Sequence, residues 1–428
     1  MIQIYKYLVA VVLILMMSAE MSARHISEDE AYQKAAQFMG NRLMSRAMPD
    51  MNSPKTFGGC YVFNCEGGGF VIVSGSDKTD EILGYSKDGV FDVNDMPEGI
   101  SNMLAGYNEE IDYAESNNIT PVRSRTTDEY KEPVEPMCDP FNHWNQHYPY
   151  NKFCPVKDGI RTLTGCVATA FSQVLAYHKH DYQPTGLYTA INEKNEELSI
   201  LLDTCVIDYN NFYPSYNSYL DDEEACNNVA RLMKMCGYLV KMQYDTNGSA
   251  AYTKDIVDAL TYLDYSNEAK YINRTDYETQ NEWDSIIYNS LKENGPVIYQ
   301  AKEDLYDGHC FVCDGYEDGY FHLNFGWEGK YNGYYKLNAI VFNDHYNFNP
   351  KDYEKYLIIT HSAVINIKPN KSNSAAISEV YTDNNDYVSV YDISGKLIFT
   401  GNPQDISGLQ RGIYIIRSRQ AVRKVVVR

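Results

Sequence analysis

The chain reads as an α+β protein. Its central block is a two-part domain with helical segments early, an antiparallel sheet late and a cleft between the parts. A small α+β domain precedes it and a small β-module follows. Three observations predict this. Apolar residues recur at helical spacing over 27–45, 165–178, 222–236 and 253–263. Short β-like runs, bounded by glycine and polar turns, dominate 60–91 and most of 295–366. Polar, aperiodic stretches at 117–136 and 372–386 separate the three blocks.

Bulk composition sets limits on function. The 428 residues exceed one ordinary core, so two or three domains are expected. Hydrophobic residues make up 44% of the chain, enough for packed domains. The formal net charge of -21 argues against nucleic acid or an anionic membrane as partner, because both need clustered Lys and Arg.

The elements follow in order. Residues 1–23 read as a secretory signal peptide: Lys6 in a short polar start, an apolar run from Tyr7 to Met17, then small residues ending at Ala23. The run is shorter than the roughly 20 residues a membrane span needs. Residues 24–130 form the first domain. Its opening helix starts at Ser27 with Glu28, Asp29 and Glu30 behind it, a favourable arrangement at a helix N-terminus. Its linker carries Arg123 and Arg125, which suit an Arg-specific protease. Residues 131–369 form the central domain and 370–428 the β-module, whose three segments alternate as strands do.

The chemistry centres on TLTGCVATAFSQVLAYHKH, residues 162–180. Cys166 opens a helix directly after Gly165. A free thiol ionises near pH 8.5, and attack on a carbonyl needs the thiolate. A helix N-terminus favours that anion, and a neighbouring imidazolium favours it more. His309 in DGHCFVCDGY, at the start of a predicted strand, is the candidate imidazole.

Three blocks, WNQHYPYN, LTGCVATAFSQVLAYHKH and DGHCFVCDGYEDGYFHLNFGWEGKYNGYYKLNAI, resemble the streptopain family of papain-like cysteine peptidases, over about 144–337. The Cys–His separation of 143 residues agrees with a papain-like order. The resemblance implies a papain-like fold, a secreted cysteine endopeptidase made as a zymogen, and an acyl-enzyme mechanism. It implies Cys166 as nucleophile, His309 as general base and acid, and Gln146 as a side-chain donor to the oxyanion hole. Trp327 matches a shielding tryptophan, and Asn324 stands where an orienting Asn would be. The family pattern NWGWGG reads NFGWEG here, so Phe325 replaces the first tryptophan. Strand alternation sends Asn324 to the face opposite Phe325, and the group that orients His309 is left open.

The first domain resembles the propeptides of the same family through GGGFVIVSGSDKTDEILGYSKDG, which implies an inhibitor built into the chain. The tail, with VYDISGKLI, GLQRGIYIIR and KVVVR, resembles the C-terminal sorting domain of type IX secretion cargo. That implies export machinery as a partner and a secreted or outer-membrane surface location in a Bacteroidetes-like bacterium. Protein or peptide substrates, no cofactor, no metal and a mature monomer are expected. Cys310 and Cys313 form a CxxC, but residues three apart on a strand face opposite ways and chelate poorly. His178 and His180 suit the C-terminal end of the nucleophile helix. The small polar loop 244–252 is open between a cleft border and a plain turn. Ten cysteines leave disulfide connectivity open. A catalytically silent surface-binding protein and a Cys–His acyltransferase are the competing readings.

Overall fold

The computed structural model describes residues 25–42, 54–117, 132–216, 222–302, 308–338, 360–370, 387–402, 406, 409, 412–418 and 422–427. The expected signal peptide, residues 118–131 of the linker with both arginines, and the polar stretch before the β-module up to residue 386 lie outside the described residues. Two compact units are present. One spans residues up to 263 together with 267–368, and the other comprises 264–266 with 369–428.

In the first unit, helix α1 (Glu28–Arg42) begins with a reciprocal cap. The Glu30 N–H donates to Ser27 Oγ at 3.3 Å, and the Ser27 N–H donates to the Glu30 carboxylate at 3.0 Å. Strands β1 (Lys55–Phe57), β2 (Cys60–Asn64), β3 (Phe70–Ser74) and β4 (Ile82–Ser86) form an antiparallel meander. Helix α2 (Glu98–Ser116) packs on its inner face. Short strands β5 (Val156–Lys157) and β6 (Ile160–Arg161) pair ahead of helix α3 (Cys166–His178). The hairpin β7 (Leu187–Ile191) and β8 (Glu197–Leu201) follows, then α4 (Glu223–Leu239) and α5 (Asp255–Tyr262). β9 (Lys270–Asn273) and α6 (Gln280–Asn294) lead into the late sheet. That sheet contains β10 (Val297–Lys302), β11 (Gly308–Glu317), β12 (Tyr320–Asn324), β13 (Gly333–Tyr335) and β14 (Thr360–Ile365).

The early meander and the late sheet are one antiparallel sheet of ten strands, ordered β1-β2-β3-β4-β13-β12-β11-β10-β14-β9. The joint is the pairing of β4 with β13, Tyr85 opposite Tyr334 and Gly84 opposite Tyr335. Tyr85 and Tyr334 stack with ring centroids 5.2 Å apart, an arrangement worth about 0.5–1.5 kcal/mol beyond its buried area. Gly84 has no room for a side chain, since a Cβ there would stand 2.6 Å from the Tyr335 ring. One apolar core runs under both parts of the sheet and includes Ile100, Leu104 and Tyr107 of α2 with Phe311, Phe321, Phe325 and Tyr335. Tyr107 crosses the joint and donates toward the carbonyls of Leu83 at 3.1 Å and Lys336 at 2.5 Å.

The early helices and late strands agree with the expectation from sequence. Helix α6 is an addition. Its Thr279–Glu282 capping box was legible, because the Glu282 N–H donates to Thr279 Oγ1 at 3.1 Å and the Glu282 carboxylate accepts from the Thr279 N–H at 3.2 Å. In the second unit, β15 (Val388–Asp392), β16 (Leu397–Gly401), β17 (Gly412–Arg417) and β18 (Val422–Val427) form a sheet ordered β16-β15-β17-β18. Val388, Val390, Ile406, Tyr414 and Ile416 form its core. Among the described residues no helix is long and apolar enough to cross a membrane.

Candidate active site

Gly165 shapes the turn ahead of Cys166, the candidate nucleophile. Its φ of 85° lies in the left-handed region, and a Cβ there would meet Met242 at 2.7 Å and the Ser249 carbonyl at 2.9 Å. Only glycine suits both demands. Cys166 then starts α3, where the first N–H groups have no partner within the helix and present the positive end of its dipole. The rest of α3 is almost wholly buried, including Val167, Phe171, Val174 and Leu175, which fixes the helix against β11. Cys166 is half-buried.

The loop 244–252 braces the approach to Cys166. Ser249 Oγ donates to the Leu163 carbonyl at 2.7 Å and accepts from the Asp245 N–H at 2.9 Å. The Leu163 N–H donates to the Asp245 carbonyl at 3.1 Å. This loop therefore supports the turn that leads into Cys166.

Gln146 is buried, and its backbone carbonyl accepts from the Thr164 N–H at 3.3 Å, two residues before Cys166. The structure thus brings the WNQ block to the turn before Cys166. His309 stands at the start of β11, buried. Helix α3, which Cys166 opens, packs on β11, the strand that His309 begins. Burial drives the His309 pKa down to about 4, opposed by its hydrogen bond to the Phe325 carbonyl. That bond joins Nε2 to Phe325 O at 2.8 Å. The Trp327 indole N–H approaches the same Nε2 at 3.1 Å, with the rings stacked 5.6 Å apart. One tautomer cannot serve both: a protonated Nε2 donates to the carbonyl, and a bare one accepts from the indole.

Trp327 covers the imidazole, whereas Asn324 does not bond to it. The Asn324 Oδ1 accepts from Gln173 Nε2 at 3.2 Å and from the Gly326 N–H at 3.1 Å. Its Nδ2 is buried without a hydrogen-bond partner. Phe325 lies on the other side, its ring stacked with His309 at 6.4 Å. The orienting contacts of His309 in this closed form come from Phe325 O and Trp327.

Sequence reasoning missed Gly99, near the start of α2. A Cβ at Gly99 would stand 2.3 Å from Cδ2 and 2.5 Å from Cγ of His309, so the backbone of the first domain lies flush on the imidazole. Nothing in the local stretch PEGISNML signals that contact.

The other singled-out groups lie elsewhere. Cys310 and Cys313 are buried thiols, both pushed far up by burial, and among the described residues no cluster of three His, Cys, Asp or Glu could hold a metal ion. Among the described residues, which include all ten cysteines, no disulfide is formed. His178 is held down to about 4 by burial and by His180.

Comparison with known proteins accords with this geometry. Residues 144–335 match the model of the Peptidase C10 family, and residues 23–111 match that of the Spi protease inhibitor. The chain is 33% identical over 302 residues to streptopain of Streptococcus pyogenes, covering 65% of this chain and 74% of that protein. It is 32% identical over 295 residues to the thiol protease/hemagglutinin PrtT of Porphyromonas gingivalis, covering 65% of this chain and 34% of that protein. The solved structure of a prointerpain A fragment from Prevotella intermedia superposes with a TM-score of 0.62 at 28% identity, over 74% of this chain and 98% of that one. The chain belongs to the Peptidase C10 family and is a cysteine protease carrying an inhibitor-type propeptide domain ahead of its papain-like domain.

Proposed function

We propose that this protease is exported, is held inactive by residues 24–130, and hydrolyses peptide bonds through Cys166 and His309. The observation that supports the reading is a half-buried thiol at the N-terminus of a helix that packs on the strand His309 begins, with the Gln146 loop bonded to the turn before that thiol. In the active form His309 takes the thiol proton. The Cys166 thiolate then attacks the scissile carbonyl carbon, and the developing oxyanion accepts from the Cys166 N–H and the Gln146 amide. His309 gives its proton to the leaving amine, and a thioester remains. Water attacks that thioester as His309 accepts its proton, and the thiol leaves.

The closed form explains latency. A buried His309 with its pKa near 4 is neutral at pH 7 and offers no positive charge to a thiolate. The N-terminal end of α2, itself positive, adds to that preference. Release of α2 after cleavage between the domains frees the imidazole. The segment 370–428 is proposed as an export address, supported by its separate compact unit and by the signal-peptide pattern at the other end of the chain.

The test is casein hydrolysis by the full-length chain after limited cleavage between the two domains, under reducing conditions. Activity in wild type, lost in Cys166→Ala and after treatment with a thiol-alkylating epoxide, supports the reading. Activity that survives in Cys166→Ala overturns it. Separately, removal of 370–428 should leave hydrolysis intact and retain the protein in the periplasm.

A further inference from the structure

We infer that Glu328 is a positioning residue for the oxyanion side of the site, acting through Asn145; this rests on the role proposed above for Gln146. Gln146 is bracketed by its neighbours. The Asn145 Oδ1 accepts from the His147 N–H at 2.8 Å, closing a turn around Gln146. The other end of the same amide, Nδ2, donates to the Glu328 carboxylate at 2.5 Å. Asn145 is buried, so its amide has both ends fixed and little freedom to turn.

Glu328 directly follows Trp327, which covers His309. Its backbone has φ 58°, a left-handed conformation that a side chain disfavours and a glycine adopts freely. A glutamate held there despite that preference points to a use for its carboxylate. The backbone of the same turn is fastened to the same segment. The Glu328 N–H donates to the Trp144 carbonyl at 3.2 Å, and Asn332 Nδ2 donates to the Asn142 carbonyl at 3.2 Å. Gly329 has φ 79° and its missing Cβ would stand 2.9 Å from His143. The loop that carries the histidine shield and the loop that carries the oxyanion donor therefore form one clamp. Glu328–Asn145 is a side-chain contact within it, one residue from Gln146 in the chain.

The role predicts a split between two reactions of one thiol. Peptide hydrolysis needs the oxyanion donor; alkylation of Cys166 by iodoacetamide needs the thiolate alone. The experiment uses the full-length chain, activated by limited cleavage, with wild type, Glu328→Ala, Glu328→Gln, Asn145→Ala, the double variant Glu328→Ala/Asn145→Ala, Gln146→Ala and Cys166→Ala. Glu328→Ala is expected to lower kcat about tenfold, with KM and the alkylation rate within about twofold of wild type, where loss of a whole oxyanion donor costs roughly 100-fold or more. Glu328→Gln keeps an acceptor oxygen and should recover most of the loss. The double variant should fall no further than the worse single one. Equal loss of hydrolysis and alkylation in Glu328→Ala overturns the inference, as do no loss at all, failure of Glu328→Gln to recover, or additive losses in the double variant. If Gln146→Ala hydrolyses normally, or Cys166→Ala stays active, the underlying reading fails instead. Thermal melting of each variant identifies any loss that comes from unfolding.

Discussion

The backbone of Gly99 lies against the imidazole of His309, with a Cβ at Gly99 placed 2.3 Å from the ring Cδ2 and 2.7 Å from the His309 Cβ. These two residues are 210 apart in the chain and meet because β4 joins β13 and carries α2 across the sheet. A glycine in a helix interior is ordinarily unfavourable by about 0.5–1 kcal/mol relative to alanine. Here it is required by space. Gly99→Ala should therefore unseat α2 and raise the hydrolytic rate of the uncleaved chain about tenfold. The initial rate on a peptide substrate before any processing, followed by gel, checks this. An unchanged rate would show that α2 does not hold the imidazole.

The same contact has a pH consequence. His309 titrates near 4 when buried and near 6.5 when solvated. Between those values the opened state binds more protons than the closed one, so the closed state gains stability as pH rises and loses it as pH falls. The loss sets in near pH 6.5 and is complete only below about pH 4, with about 3 kcal/mol as its upper bound because Trp327, Phe311 and Phe325 still cover the ring when α2 leaves. His178 and His361 are half-buried and also held near 4 by desolvation, so global unfolding carries the same sign. The local effect is separable. Amide exchange in α2, corrected for intrinsic rates, should speed up between pH 6.5 and 4.5 in wild type and less in His309→Gln. Equal slopes in the two proteins would remove His309 from the account.

Much of this was legible in the sequence, and the remainder shows what a sequence omits. Gly165 and Cys166 were readable because a glycine turn followed by helical spacing is local. Asn324 could be placed on the face opposite Phe325 because a strand alternates, and its bond to Gln173 follows from that. The continuity of the ten-stranded sheet was not readable, since β4 meets β13 through only two residue pairs separated by about 250 positions. Glu328 was equally hidden. Its value depends on Asn145, 183 positions away, and an exposed glutamate in a turn carries no mark of that.

Ser249 supports a third expectation. Its hydroxyl joins the Leu163 carbonyl and the Asp245 N–H behind the nucleophile turn, and the residue is buried. Ser249→Ala leaves both groups short of a partner, at a cost of about 1–3 kcal/mol. The expected result is a lower melting temperature together with a severalfold fall in kcat and little change in KM. Melting and steady-state kinetics on the activated chain check it. A fall in stability with kcat intact would confine the loop to a structural role.

Phe325 invites replacement by the tryptophan that the family resemblance implies, and the packing argues against it. The ring is buried and touches Phe311 with centroids 4.9 Å apart, Tyr335 edge-on at 5.7 Å and His309 at 6.4 Å. Its backbone is held as well, because the Phe325 N–H donates to Asn332 Oδ1 at 3.0 Å and its carbonyl takes His309 Nε2. An indole needs more volume than this ring of neighbours leaves, and overfilling a packed core costs about 1–3 kcal/mol. The new N–H would also be buried and would need an acceptor, while His309 Nε2 is already engaged by Phe325 O or by Trp327, according to its tautomer. Phe325→Trp should therefore lower the melting temperature without raising kcat of the activated enzyme. Equal melting temperatures with a severalfold gain in kcat would mean that the pocket around His309 relaxes after α2 leaves, and that the indole then takes up an orienting role.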